Sequence, residues 1–495
     1  MNKRIIYKMS ICYLALPMFI FFVGYLKWYV ALVALLIAFV SCWQVCCQVS
    51  ERGEYKKTGQ WYMLIAALMI TYLLGVGGYF TQSSDWMAKN PVLNDLVCES
   101  WPVIVYPQQM SKTIQEVCGT QPVALVYYFF YYLPAACVGK LAGLGAAHFA
   151  LFVWTVLGLW LLQNLLLLSL NKVSLSKKNV VIIILLFVVF GGGDFLGHIL
   201  RLIVLKFLGV SPLYATWRID EWCRPYFFYY GAHWTSLYWC FNQAIPIWLL
   251  TAVIVCMKDV KTIGFFYSFT LLYSPWAAMG MLPLVFGYVI FTTWKNPKAF
   301  VRLFTVSNVL FPLMLLGIVG SFYMSNNHPL ADKGWFWEFE SPLIFSVKYI
   351  VFLAIELGVY AWILRKRMVT DTLLALAFIT LLFVPFYKMT AWNDFMMRAS
   401  LPTLFIVFMY WMNWCLKKWN QRKKAILVIC AITSLTALQL IGISVVQTIE
   451  AGKPVLTNAE ERFCHTNNIE VAKLGEGQFF AHGYDSMIFW KYLAR

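Results

Sequence analysis

The chain has 495 residues, of which 61% are hydrophobic, 18% aromatic and only 12% charged, with a formal net charge of +17. One soluble core cannot hide that much apolar surface, so lipid must be part of the solvent, and a soluble enzyme is excluded. The positive charge by itself suggests nucleic acid, but Lys and Arg gather in short clusters between apolar runs, as they do in cytoplasmic loops of membrane proteins, which argues against that binding.

The opening MNKRIIYKMS leads into an apolar run with no small-residue cleavage site, which reads as a retained signal-anchor. Runs that fill a bilayer, or nearly so, occur at 11–27, 29–46 and 61–80. The polar stretch 81–122 follows, opening with TQSSDWMAKNPVLNDLVCESWPV, which sets Asp85 and Asp95 just outside a hydrophobic run. Segment 123–139, VALVYYFFYYLPAACVG, is apolar enough to span. Its Tyr/Phe run suits the headgroup interface, so an interfacial or re-entrant helix is expected there. Spans at 145–170 and 179–193 lead to the polar stretch 194–239, then spans at 240–257, 263–275, 279–292 and 301–322. The polar stretch 323–342, spans 343–363 and 371–387, the polar stretch 388–400, and spans 401–416 and 425–445 complete the series. The expected fold is an all-α polytopic membrane protein with about thirteen transmembrane helices over residues 1–445, and a short tail, 446–495, that acts as a lid.

With that count the basic clusters fall on one side: Lys56-Lys57, Lys177-Lys178, Lys258 with Lys261, Lys295 with Lys298, Arg365-Lys366-Arg367, Lys417-Lys418 and Arg422-Lys423-Lys424. The positive-inside rule makes that side cytoplasmic. The four polar stretches and the tail then lie outside, where the carboxylates, histidines and most tryptophans are concentrated, so the chemistry is expected there. No GxxxxGK[ST], HExxH, GxSxG or dinucleotide turn is present, which removes the main support for ATP-driven transport and metalloprotease readings. The FGGGDFLGH stretch at 190–198 is a weak phosphate signal, and its glycines suit a broken helix end or a close helix approach. Cys98 and Cys118 share one outer loop and are candidates for a bridge.

Ionisable residues cluster at the outer helix ends. Asp85 and Asp95 open the first large loop, and Asp194 and His198 lie one helical turn apart. Arg218, Asp220, Glu221, Arg224 and His233 fill WRIDEWCRPYFFYYGAHW, while Lys388, Asp394 and Arg398 occupy YKMTAWNDFMMRAS. Asp394 with Arg398, and Asp194 with His198, are spaced to pair along a helix, which would be a structural role. Glu356 is the one carboxylate well inside an apolar run.

An acidic loop start soon after a membrane helix, SSDW followed by NDL, resembles the GT-C superfamily of integral membrane glycosyltransferases. YYLPAACVGKLAG, LLYSPWAAMGMLP and WNDFMMRASLP are similar to stretches in bacterial proteins of that general type. The extra hairpin 11–46 departs from the family, whose acidic loop usually follows the first helix. The resemblance implies an extracytoplasmic cavity, a location in a bacterial inner membrane, and a polyprenyl-phosphate or polyprenyl-diphosphate sugar donor. Asp85 would be the general base, with its pKa raised at the dry edge of the bilayer, and Asp95 a second carboxylate for a cation or an acceptor hydroxyl. Arg398, Lys388 and Arg218 would hold the departing phosphate, an arginine best of all because its planar fork reaches two oxygens. Asp394, His233, Asp194 and His198 complete the expected substrate-binding set, and Trp86, Trp217 and Trp234 would offer apolar faces to sugar or prenyl chain. A metal, if used, would be oxygen-ligated Mg or Mn. The rival readings are an envelope polysaccharide polymerase or ligase and a multispan lipid or solute transporter.

Overall fold

The computed structural model describes residues 3–49, 59–106, 120–170, 176–211, 218–223, 227–327, 333–390, 393–456 and 479–495. The chain is nearly all α-helical. Each expected apolar run overlaps a helix: α1 Lys3–Tyr25, α2 Trp28–Gln48, α3 Gln60–Leu73, then a loop helix α4 Trp86–Cys98 and a short α5 Leu133–Ala142. These are followed by α6 Leu144–Leu168, α7 Lys177–Val189, α8 Asp194–Phe207, α9 His233–Met257, α10 Val260–Tyr273 and α11 Pro275–Lys295. The last are α12 Val306–Met324, α13 Pro342–Glu356, α14 Gly358–Met368, α15 Thr372–Phe383, α16 Asp394–Ala399 and α17 Leu401–Ala451. Among the described residues eight helices are long and apolar enough to cross a membrane, or nine if α13 and α14, bent by 73°, form one span.

Helix α2 shows how side-chain size organises the bundle. Ala31, Ala34, Ala38, Ser41 and Val45 line its buried face, while Leu32, Val33, Leu36, Phe39 and Trp43 are exposed. Lipid is as apolar as leucine, so burying large side chains gains little here, and small ones that let backbones approach form the interface instead.

The 51-residue α17 holds two helices joined at Arg422, which leaves helical geometry at φ −127° and ψ 19°. A straight helix of that length would reach about 76 Å. Its ends nevertheless lie close together, because Thr448 bonds Thr81 and Val455 accepts from Gln82, while Arg398 is within electrostatic reach of Lys89 on the adjoining α4. The chain therefore turns back within the basic cluster, where two separate runs were expected.

The two ends of the bundle differ in character. At the basic end Lys258 pairs with Asp371 at 2.7 Å and Arg367 with the same carboxylate at 3.3 Å. The opposite end is built from loops. There Val123–Leu125 pairs antiparallel with Ile104–Val105 on one side and Phe480–His482 on the other, and Gly334–Trp335 pairs with Tyr387–Lys388. Segment 123–139 belongs to this end: it forms the central strand, a turn at Phe130–Tyr132 and the start of α5, and does not cross the bundle. Residues 479–495 pack here too, with Phe489 set among Phe21 and Phe322 and the Trp490 indole donating to Ser325 at 3.0 Å.

Candidate functional site

At the loop end, Asp85 immediately precedes α4; its side chain makes no capping hydrogen bond and is 41% exposed. One turn on, the ammonium of Lys89 is buried, 3.9 Å from Asp85 Oδ2 and 2.9 Å from the Trp239 carbonyl. That carbonyl is available because α9 leaves helical geometry at Cys240, at φ −145° and ψ 44°, which breaks the ladder and turns oxygens outward. Burial pushes the Lys89 pKa below the ordinary lysine value, and Asp85 pulls the other way.

Arg398 approaches from α16. Asn393, in the left-handed region at φ 51°, caps that helix by accepting from the Met396 amide, and Arg398 then reaches back one turn to Asp394 at 3.2 Å. Thr390 holds the other Asp394 oxygen at 3.0 Å. Arg398 Nε is buried without a partner, and the guanidinium stands 6.0 Å from the Tyr128 ring centre. Asp85, Lys89, Asp394 and Arg398 all lie within electrostatic reach of Cys240. Beside it opens a pocket of about 280 Å³ lined by Tyr128, Trp276, Asn326, Thr390, Asp394 and Arg398.

The structure therefore brings together Asp85, Asp394 and Arg398, but it uses other expected residues differently. Asp95 is 4% exposed and ten residues further along α4, about 15 Å by helical rise, so it does not share a centre with Asp85. Among the described residues no group of three His, Cys, Asp or Glu side chains is placed to hold a metal ion. Trp86 is fully buried and stacks on Phe241 at 5.3 Å, and Trp234 is 1% exposed, so both are core residues and neither offers a face to substrate. His233 is the first residue of α9 and sits among Phe187, Phe190, Trp248, Phe405 and Phe408, with Nδ1 on the Phe187 carbonyl at 3.0 Å. It does not line the pocket.

Arg218 is committed to Asp220 at 2.5 Å and Glu221 at 2.9 Å, and lies 4.4 Å over the Trp239 ring. Two carboxylates already neutralise it, so it is a poor phosphate clamp. Lys388 lies in the two-stranded ladder over the rings of Phe227 and Phe339. Asp194 does not pair with His198; its carboxyl turns to Thr436 at 3.0 Å and faces Glu356. Trp217, Arg224 and Cys118 lie outside the described residues, and Cys98 is disulfide-bonded. Lys89 and Tyr128 were not among the expected site residues. Lys89 was legible, since DWMAK places it four residues after Asp85.

Comparison with protein-family models, curated proteins and solved structures finds no match to this chain. Fold and composition together define an integral membrane protein with a polar, ionisable site at its loop end.

Proposed function

We propose that the chain is a membrane glycosyltransferase of the GT-C type, with thirteen crossings, that moves a sugar from a polyprenyl-phosphate or polyprenyl-diphosphate carrier to an extracytoplasmic acceptor. The observation that carries this reading is a half-exposed carboxylate, Asp85, within electrostatic reach of the same residues, Lys89 and Cys240, as Arg398, which lines an aromatic pocket. The basic end of the bundle supports placing that pocket on the outer face of a bacterial inner membrane. In the reaction the acceptor oxygen bonds to the anomeric carbon as the carbon–oxygen bond to phosphate breaks. The acceptor proton passes to Asp85, and the electron pair leaves with the phosphate, whose growing charge Arg398 meets with its unpartnered Nε. Tyr128 and Trp276 offer ring faces to the sugar.

Asp85→Asn tests this. It keeps shape but cannot take the proton, so transfer from lipid-linked donor in membranes should fall by roughly 10² to 10⁴-fold with the protein still folded. Wild-type turnover in that variant removes Asp85 from the reaction. A second reading, solute transport, is favoured by one observation: two carboxyls, Asp194 and Glu356, are buried where helices are interrupted.

A further inference from the structure

Two helical spans break at the same place. Phe190, Gly191, Gly192 and Gly193 separate α7 from α8, and Leu357 separates α13 from α14. The breaks are tied to each other, since Gly193 N donates to the Ile355 carbonyl at 3.2 Å and the Tyr360 hydroxyl donates to the Gly191 carbonyl at 2.5 Å. Gly192 leaves room for the Glu356 carboxyl: a Cβ there would land on Glu356 Oε2 and displace it. The crossing lies inside the bundle, with Asp194 buried between α8 and the second half of α17. Thr436, its partner, stands midway between Arg422 and Thr448.

Asp194 is 2% exposed and Glu356 3%. Asp194 Oδ2 accepts from Thr436, Glu356 Oε1 accepts from the Trp222 indole at 2.8 Å, and the two carboxyls come within hydrogen-bonding range of each other. Glu356 Oε2 receives no N–H or O–H from any described residue. Nor does a Lys or Arg among the described residues pair with either acid. The charged groups nearby are already engaged: Asp220 and Glu221 share Arg218, and Arg201 donates to the carbonyls of Glu221 and Trp222. Tyr230, Tyr360 and Cys223, which also face Glu356, bring no positive charge.

Two ionised carboxylates are acceptors only, and side by side in an apolar interior without a cation they repel strongly. A single proton between them removes the repulsion and supplies the missing donor. The helix ends decide where it sits. Asp194 is the first residue of α8, where the dipole favours negative charge, and Glu356 is the last of α13, where the dipole disfavours it. We propose that Asp194 and Glu356 form a proton-binding site inside the membrane, with the proton on Glu356 Oε2 and donated to an ionised Asp194. A cavity of about 10 Å³ touching Glu356, Gly192 and Tyr360 has room for one water at most, so the proton is held by protein groups and exchanges through few waters.

The test needs no substrate, so it stands apart from sugar transfer. Full-length protein in lipid vesicles at neutral pH is compared by infrared difference spectroscopy with Glu356→Gln and Asp194→Asn, in H₂O and D₂O. The wild type should show a protonated-carboxyl stretch that moves in D₂O. Glu356→Gln should abolish it, and Asp194→Asn should keep it at a shifted position, because its acceptor has changed. A wild type without that band, or a band that survives Glu356→Gln, overturns the proposal. If Glu356→Gln does not fold, the Asp194→Asn spectrum decides, and an unshifted band there is also a refutation.

Discussion

Gly280→Ala probes the site from behind. Gly280 lies on α11 directly under α16, and a Cβ there would overlap the Ala399 carbonyl oxygen while lying 2.6 Å from its carbon and 2.8 Å from its Cα. These are backbone atoms, so no rotamer change relieves the contact, and the helices must separate by about 1 Å at the oxygen. Overpacking of this kind costs roughly 1–3 kcal/mol, and a rigid partner puts it near the upper figure. Ala399 adjoins Arg398, so the guanidinium moves with it, and a misplacement on the order of 1 Å lowers a positioned reaction about 10²-fold. The assay pairs melting of the detergent-solubilised protein with transfer from lipid-linked donor in membranes. Gly317→Ala, where a methyl meets open space, is the control and should be neutral or slightly stabilising. Wild-type melting and transfer in Gly280→Ala would refute both the close approach and its link to Arg398.

Arg398→Lys keeps the charge but loses the planar fork, so donor use should weaken by about 1–3 kcal/mol in kcat/KM; if Arg398 only pairs with Asp394, the alanine variants of both should behave alike and cost at most about 0.5 kcal/mol of stability. Because burial holds the Lys89 pKa below its ordinary 10.5, the unfolded chain binds that proton more tightly, and stability should rise as pH climbs from the folded pKa towards 10.5. Asp85→Asn removes the opposing pull, so melting against pH should start its rise at lower pH, and an unchanged onset contradicts the pairing. Gly192→Ala should destabilise by colliding with a side chain, so Glu356→Ala in the same protein should recover part of the loss; simple additivity of the two changes counts against the contact.

The apolar runs were legible because a span must be apolar throughout its length; each expected span overlaps a helix, and among the described residues eight helices are long and apolar enough to cross a membrane. The pair Asp394–Arg398 was legible for the same local reason, a spacing of one turn. Asp194 and His198 share that spacing, yet Asp194 turns to Thr436, 242 residues away, because packing between helices outweighs a neighbour on the same helix. His233 and Trp86 were expected to bind substrate, and both are core residues. The break at Cys240 carries no local signal, since the proline of that helix is Pro246, beyond the kink. It is nevertheless what presents the Trp239 carbonyl to Lys89.

The stretch beyond residue 479 closes the junction of the first hairpin: Ala494 bridges Leu26, Lys27 N donates to the Leu493 carbonyl, and Arg495 N donates to that of Tyr25. Nearly all of the described chain is synthesised between these partners. The rings of Phe21 and Tyr25, fully buried in the finished fold, must therefore wait in an incomplete setting while helix after helix is inserted. Contacts between such distant segments are slow to form. The hairpin of α1 and α2 is thus finished only after residues 479–495 are made, and a chain that stops short of residue 479 leaves that hairpin without its cover.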